Sequence, residues 1–270
     1  MNPDNQPVSS TPSVLKGMEW MVDAGNTLVK WGVFDPDGNL VRVVKSPLHR
    51  LEAGAKEALE TGRPVAVTVA SVSLPKEHWE RWMMDHASVT MRWMGDYRNW
   101  PFETKYRDPD RLGTDRKVQM AGALAMYGRG PVMVMGLGTC LTVDWLKPAG
   151  PQGSPVHQGG WISPGLRMRR RAMNRDTAAL PDLEPGTSVQ EGPGLDTGQS
   201  MLAGVWQGYL AELREHVRRW KEVAPGAVVV VCGGDADLIP WNQITDYGSI
   251  FAAPDLALHG MYSLTRPYAF

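Results

Sequence analysis

Apolar and polar positions alternate in short runs at the start of each half of the chain. Residues 20–22 and 28–34 form two such runs, separated by Asp23-Ala24-Gly25-Asn26-Thr27. Residues 132–135 and 140–144 repeat the arrangement around Gly136-Leu137-Gly138-Thr139. Alternation interrupted by a tight glycine turn predicts strand, turn, strand, with free backbone N–H groups and a threonine hydroxyl at each tip. Residues 40–44 extend the first hairpin beyond the turn Asp35-Pro36-Asp37-Gly38-Asn39. Residues 64–72, with Val65, Val67 and Val69, predict a further strand, and 88–94 another. In the second half, 154–162 supplies a third strand. The wholly apolar run 227–231 predicts a strand buried on both faces.

Between these runs the period changes to that of a helix. Residues 50–61 carry Leu51, Ala55, Ala58 and Leu59 on one face and stop at Gly62. Helices are also predicted over 77–86, 112–127, 165–179, 198–220 and 256–264. Of these, 112–127 contains Ala121, Gly122, Ala123 and Ala125, which permit close packing, and 165–179 is strongly basic. Residues 99–110 are rich in proline and aromatics and read as loop. Each half therefore opens on a β-meander and continues with helices and strands, which predicts a duplicated α/β unit. Short repeats of solenoid type are absent.

Composition narrows the class. The chain has 270 residues, 43% apolar and 21% charged, which suits a soluble globular protein with a sizeable core. A net charge of −1 gives no global pull toward nucleic acid or an anionic membrane. No run approaches a membrane span. The first 13 residues lack a basic start and an apolar core, so they predict a disordered tail rather than a signal peptide, and a cytoplasmic location. Cys140 and Cys232 sit in apolar runs and read as buried free thiols. The six histidines show no metal-ligand spacing, and the 11 tryptophans read as core and rim. There is no Walker loop and no nucleophile elbow.

Five segments could carry chemistry. A glycine turn ending a strand offers N–H donors to phosphate, and a carboxylate such as Asp23 there can hold Mg²⁺. Asn26 and Thr27 flank that turn, and Lys30 adds charge. An ordinary hairpin turn is the competing reading of each tip. Asp144, on the second outgoing strand, either faces the site or caps the strand end. Asp115, at the start of a helix, reads as an N-cap or as a general base, with Arg116 beside it to pair with a substrate anion. Gly159-Gly160-Trp161-Ile162-Ser163-Pro164-Gly165-Leu166 leads into Arg167, Arg169, Arg170 and Arg171, a run that reads mainly as a solvated face. Cys232-Gly233-Gly234-Asp235 places a glycine loop at a strand's carboxyl end, where α/β folds bind ligands.

Taken in order, these segments resemble the type III pantothenate kinases of the acetate and sugar kinase, chaperone and actin superfamily. The likeness rests on D-x-G-N-T (Asp23 to Thr27), L-G-x-D-R (Leu112 to Arg116) and G-T-x-x-T-x-D (Gly138 to Asp144). It continues with G-G-x-I-x-P-G-L from Gly159, Leu180-Pro181, Asp196-Thr197 ahead of Gly204 and Gly208, and Gly233-Gly234-Asp235. The resemblance implies an α/β fold of two ribonuclease-H-like (actin-like ATPase) domains related by internal duplication, spanning 18–117 and 118–270 after a tail over 1–17. It implies a homodimer that phosphorylates pantothenate with ATP, the committed step toward coenzyme A. Asp115 matches the catalytic base, and Tyr106, Gly113, Arg116 and Thr197 fall on positions around pantothenate. Asp23 would hold Mg²⁺, with Gly25, Asn26, Thr27, Lys30, Gly138 and Thr139 around the phosphates. A monovalent cation, K⁺ or NH₄⁺, is also implied. One departure stands out: the family's second hairpin begins D-x-G-T, and here that aspartate is Gly136. Loss of the carboxylate weakens cation binding there and raises a rival reading, a kinase-like accessory protein with little turnover.

Overall fold

Two sheets account for the alternating runs. The computed structural model describes residues 17–86, 89–149, 153–183, 192–244 and 250–266, so all but the last residue of the expected tail lies outside the described residues. The first sheet is built from β1 (Met18–Ala24), β2 (Leu28–Phe34), β3 (Leu40–Pro47), β4 (Pro64–Ser71) and β5 (Thr90–Trp93), in the order β3-β2-β1-β4-β5. β1, β2 and β3 are antiparallel neighbours, whereas β4 and β5 add in parallel on the far side of β1. The second sheet joins β6 (Glu103–Thr104), β7 (Val132–Leu137), β8 (Cys140–Pro148), β9 (Pro155–Pro164), β10 (Val228–Cys232) and β11 (Ile250–Ala252). Its order is β11-β10-β7-β8-β9-β6. Stripped of β6, this is the first sheet again: an antiparallel meander β9-β8-β7, then parallel β10 and β11. The duplication faint in the residues is plain in the topology.

Parallel strands require crossover helices, and these cover the faces. α1 (Leu51–Leu59) and α2 (Lys76–His86) lie against the first sheet. The core between them is tryptophan-rich: Trp31 packs edge-on to Trp20 and Trp79, each at 6.0 Å between ring centroids. α5 (Thr197–Val223) buries Tyr209, Leu213, Val217 and Trp220 on one face of the second sheet. α4 (Leu166–Arg175) stops short of residue 179, where Asn174 Nδ2 donates to the Leu180 carbonyl at 2.8 Å. The Asp196 carboxylate caps α5 by accepting from the Gln199 N–H at 2.8 Å. β6 lies in the expected loop, and β11 was not anticipated.

α3 (Thr114–Tyr127) and α6 (Leu256–Leu264) form the layer between the sheets. Val118 and Ala121 of α3 face Met21, Phe34 and Ala70 of the first sheet, while Met120, Ala123 and Leu124 face Val132 and Val134 of the second. A boundary at 117/118 thus falls inside a helix that both sheets use. No helix among the described residues is long and apolar enough to cross a membrane.

Candidate active site

The duplicated hairpins meet tip to tip. Each turn closes on itself, with the Gly25 N–H donating to the Leu28 carbonyl at 3.0 Å and the Gly138 N–H to the Cys140 carbonyl at 3.1 Å. The Thr27 and Thr139 hydroxyls then bond each other at 3.1 Å, across 112 residues of chain. Behind them opens a cavity of about 1060 Å³. Asp23, Gly25, Asn26, Thr27, Lys30, Gly138 and Thr139 all line it. The glycine loop Cys232–Asp235 lines it too, at the carboxyl end of β10 as the sequence suggests.

Charge at the base of the first hairpin is arranged across the strand pair. Asp23 sits opposite Lys30 in the β1–β2 register. Burial pushes the Asp23 carboxyl up to about 6; Lys30 works against that shift and Asp115 adds to it. Lys30 is also tied down, its ammonium donating to the Pro254 carbonyl at 2.5 Å and lying 3.8 Å from Asp255 Oδ1.

Asp115 lies in the first turn of α3, whose N-cap is Gly113 rather than Asp115 itself. Its carboxyl oxygen folds back to within 2.5 Å of where a side chain on Gly113 would begin. Burial raises the Asp115 pKa, Arg116 lowers it and Asp144 raises it further. A carboxylate poised in this way suits proton uptake from a hydroxyl.

Arg116 is present but already engaged. Its Nε donates to Asp144 Oδ2 at 2.9 Å and its Nη2 to Oδ1 at 2.5 Å, and Nη1 donates to the Tyr106 hydroxyl at 3.3 Å. Asp144 is buried, which resolves its two readings: it faces Arg116. His157 Nε2 lies 2.8 Å from Asp144 Oδ1, and His157 Nδ1 lies 2.8 Å from Thr104 Oγ1. Burial alone would lower the Arg116 pKa, but the Asp144 carboxylate more than offsets it and holds the guanidinium charged. Gly160 belongs to this cluster by its smallness, since a Cβ there would lie 2.6 Å from Arg116 Nη2 and 2.7 Å from Asp144 Oδ1. Thr197 heads α5 and is exposed, and none of the hydrogen bonds among the described residues ties it to Tyr106, Gly113, Asp115 or Arg116.

Several features lay beyond reach of sequence reasoning. Gln119, one turn after Asp115 on α3, lines the cavity. Thr104 and His157 are isolated residues that only the β6–β9 pairing brings together. Arg167, Arg171 and Arg175 are exposed residues that line the cavity wall, so the basic helix is partly a site face. Cys140 is half-buried rather than buried, and burial raises the Cys232 thiol to about 12.

Comparisons with known proteins supply the family and the fold. The family description "Type III pantothenate kinase" matches residues 20–219. A type III pantothenate kinase from Flavobacterium psychrophilum is 28% identical over 246 residues, covering 90% of this chain and 96% of the relative. One from Gloeobacter violaceus is 31% identical over 222 residues, covering 82% and 87%. The solved structure of a ROK family glucokinase from Streptomyces griseus aligns at a TM-score of 0.50 and 15% identity, covering 92% of this chain and 99% of that one. That likeness shows the fold: two ribonuclease-H-like halves of the actin-like ATPase type. The family model and these relatives make the chain a phosphotransferase. The chain belongs to the type III pantothenate kinase family.

Proposed function

We propose that this chain transfers the γ-phosphoryl group of ATP to the terminal hydroxyl of pantothenate, giving 4'-phosphopantothenate and ADP. The observation that carries the reading is the Thr27–Thr139 contact, which brings both phosphate-binding tips to one cavity beside Asp23. Asp115 takes the hydroxyl proton, the freed oxygen attacks the γ-phosphorus, and the bond to the β-phosphate bridging oxygen breaks. The Asn26 N–H, with Thr27, Thr139 and Lys30, receives the phosphates, and the closed turns at Gly25 and Gly138 let them approach the backbone. The Tyr106–Arg116 edge, held by Asp144 and His157, faces the acceptor with Gly113.

Asp23 is the residue that would hold Mg²⁺. Among the described residues no group of three His, Cys, Asp or Glu forms a metal cage, and Mg²⁺ suits that arrangement because it binds through one or two carboxylates plus substrate phosphates. When bound, the ion neutralises phosphate charge. The oxygens beside Gly136 are the Thr142 hydroxyl and the Gln119 carboxamide, both neutral, so any K⁺ or NH₄⁺ there is held weakly.

In a homodimer a second copy would present the exposed Thr197 to the substrate. The exposed Trp161, Ile162, Met168 and Leu195 supply apolar surface for such an interface. A cytoplasmic location fits a kinase of ATP and a free metabolite. We assign residues 18–117 and 118–270 to the two halves, with α3 common to both. A coupled ADP-release assay with K⁺ or NH₄⁺ present tests the reading: pantothenate-dependent turnover is expected, and its absence overturns it. Nothing in the family match favours the accessory reading.

A further inference from the structure

Asp23 and Gly136 occupy equivalent places, each the last but one residue of its hairpin's incoming strand. Asp23 faces Lys30 across the strand pair, and Gly136 faces Thr142. The slot beside Gly136 is nevertheless filled. A Cβ built on Gly136 would lie 2.6 Å from Thr142 Oγ1 and 3.0 Å from Gln119 Oε1. The polar end of Gln119 therefore stands where a side chain at 136 would begin, and Gln119 also lines the cavity behind the tips.

Helix geometry says what Gln119 can touch. Asp115 and Gln119 are four residues apart on α3, which puts their Cβ atoms about 5–6 Å apart on one face. On the kinase reading, Gln119 then stands between a hydroxyl held at Asp115 and the cavity that the two tips line. With Oε1 turned to the Gly136–Thr142 step, the Gln119 Nε2 remains as a donor at that place.

We propose that Gln119 is a further catalytic residue, whose amide N–H₂ donates to the phosphoryl group in transfer. Loss of the side chain at 136 and the presence of Gln119 are then one feature. A neutral donor stands where a carboxylate would add a third negative charge beside Asp23 and Asp115. The inference rests on the kinase reading above, but its nucleotide contact can be tested without the acceptor.

The test uses the full chain and the variants Gln119→Met, Gly136→Asp and Gly136→Asp/Gln119→Ala. Methionine keeps length and volume while removing the amide. Calorimetry of Mg·ADP against a non-hydrolysable Mg·ATP analogue reads the terminal-phosphate contact, and wild type is expected to prefer the triphosphate. In Gln119→Met that preference shrinks about tenfold, the size of one charge-assisted hydrogen bond. Its kcat falls on the order of 10²-fold, with pantothenate KM and melting temperature close to wild type. Gly136→Asp alone loses activity, because the new carboxylate must displace Gln119. The double variant recovers part of that loss by opening the slot at 136, but its kcat and triphosphate preference stay no better than those of Gln119→Met. Gln119→Met with wild-type nucleotide preference overturns the proposal, as does Gln119→Met with wild-type kcat. A wild type that prefers Mg·ATP but releases no ADP with pantothenate overturns the acceptor assignment and leaves Gln119 to be decided by binding. A wild type that binds neither nucleotide overturns both.

Discussion

The two hairpins share a fold and differ in where they keep their carboxylate. The first holds Asp23 near its tip, facing Lys30 and lining the cavity. The second has glycine there and carries Asp144 on its outgoing strand, opposite Val134 and turned toward Arg116. One hairpin thus sets its carboxylate at the cavity and the other uses its own to hold a buried guanidinium. Duplication supplied the scaffold twice, and divergence of single residues gave the copies different tasks.

The largest effect on this division is expected at Asp115, which sits between the two. Asp115→Asn should lower kcat by roughly 10³-fold, within the range of general-base removal, while ATP affinity stays near wild type. Unchanged turnover in steady-state kinetics would exclude the base. Next comes Asp144→Ala, which strands a buried Arg116 charge and should cost about 3–5 kcal/mol of stability in denaturant unfolding. If stability is unaffected, the second hairpin's carboxylate is not what holds Arg116.

The first hairpin's carboxylate has the opposite stability signature. Asp23 keeps its proton up to about pH 6 in the folded chain, against about 3.9 in an unfolded one. The ligand-free fold binds the extra proton across that window, so its stability should fall as pH rises through it. Asp23→Asn should flatten the dependence of melting temperature between acidic and neutral pH. A profile identical to wild type would mean that Asp23 is not the titrating group. Smaller still is the tip contact, where Thr27→Val should cost below about 1 kcal/mol, and adding Thr139→Val should cost little more. Fully additive losses would show that the tips do not communicate. The smallest effect expected is from the cation: replacing Na⁺ with K⁺ or NH₄⁺ should change wild-type turnover little, and a large stimulation would point to a carboxylate-free cation site at Gly136.

Much of the scaffold was legible beforehand because its signals are local. Both hairpins, α3, the buried strand β10 and α6 follow from alternation, helical period and glycine turns within a few residues of each other. The cavity residues of the two tips were legible for the same reason, since Asp23, Gly25, Thr27, Gly138 and Thr139 travel with their turns. What stayed hidden depends on distant pairing. β6 is two residues long and shows no period, and it exists because β9 offers an open edge. Thr104, Asp144 and His157 assemble only when β6, β8 and β9 lie side by side. Gln119 looks like any polar residue of a helix until α3 is seen to run beneath the second hairpin.

The last described helix has a consequence for how the chain comes to be made. Ala257, Leu258 and Met261 of α6 complete an apolar cluster with Met21, Phe34 and Ala70 near the beginning of the chain. The first sheet, emerging earliest during synthesis, therefore waits for the final helix before its inner face is covered. Domains that fold as they are made need only their own residues, whereas this first half borrows from the end. A chain cut before α6 should leave residues 18–93 open to protease even though every strand of the first sheet is present.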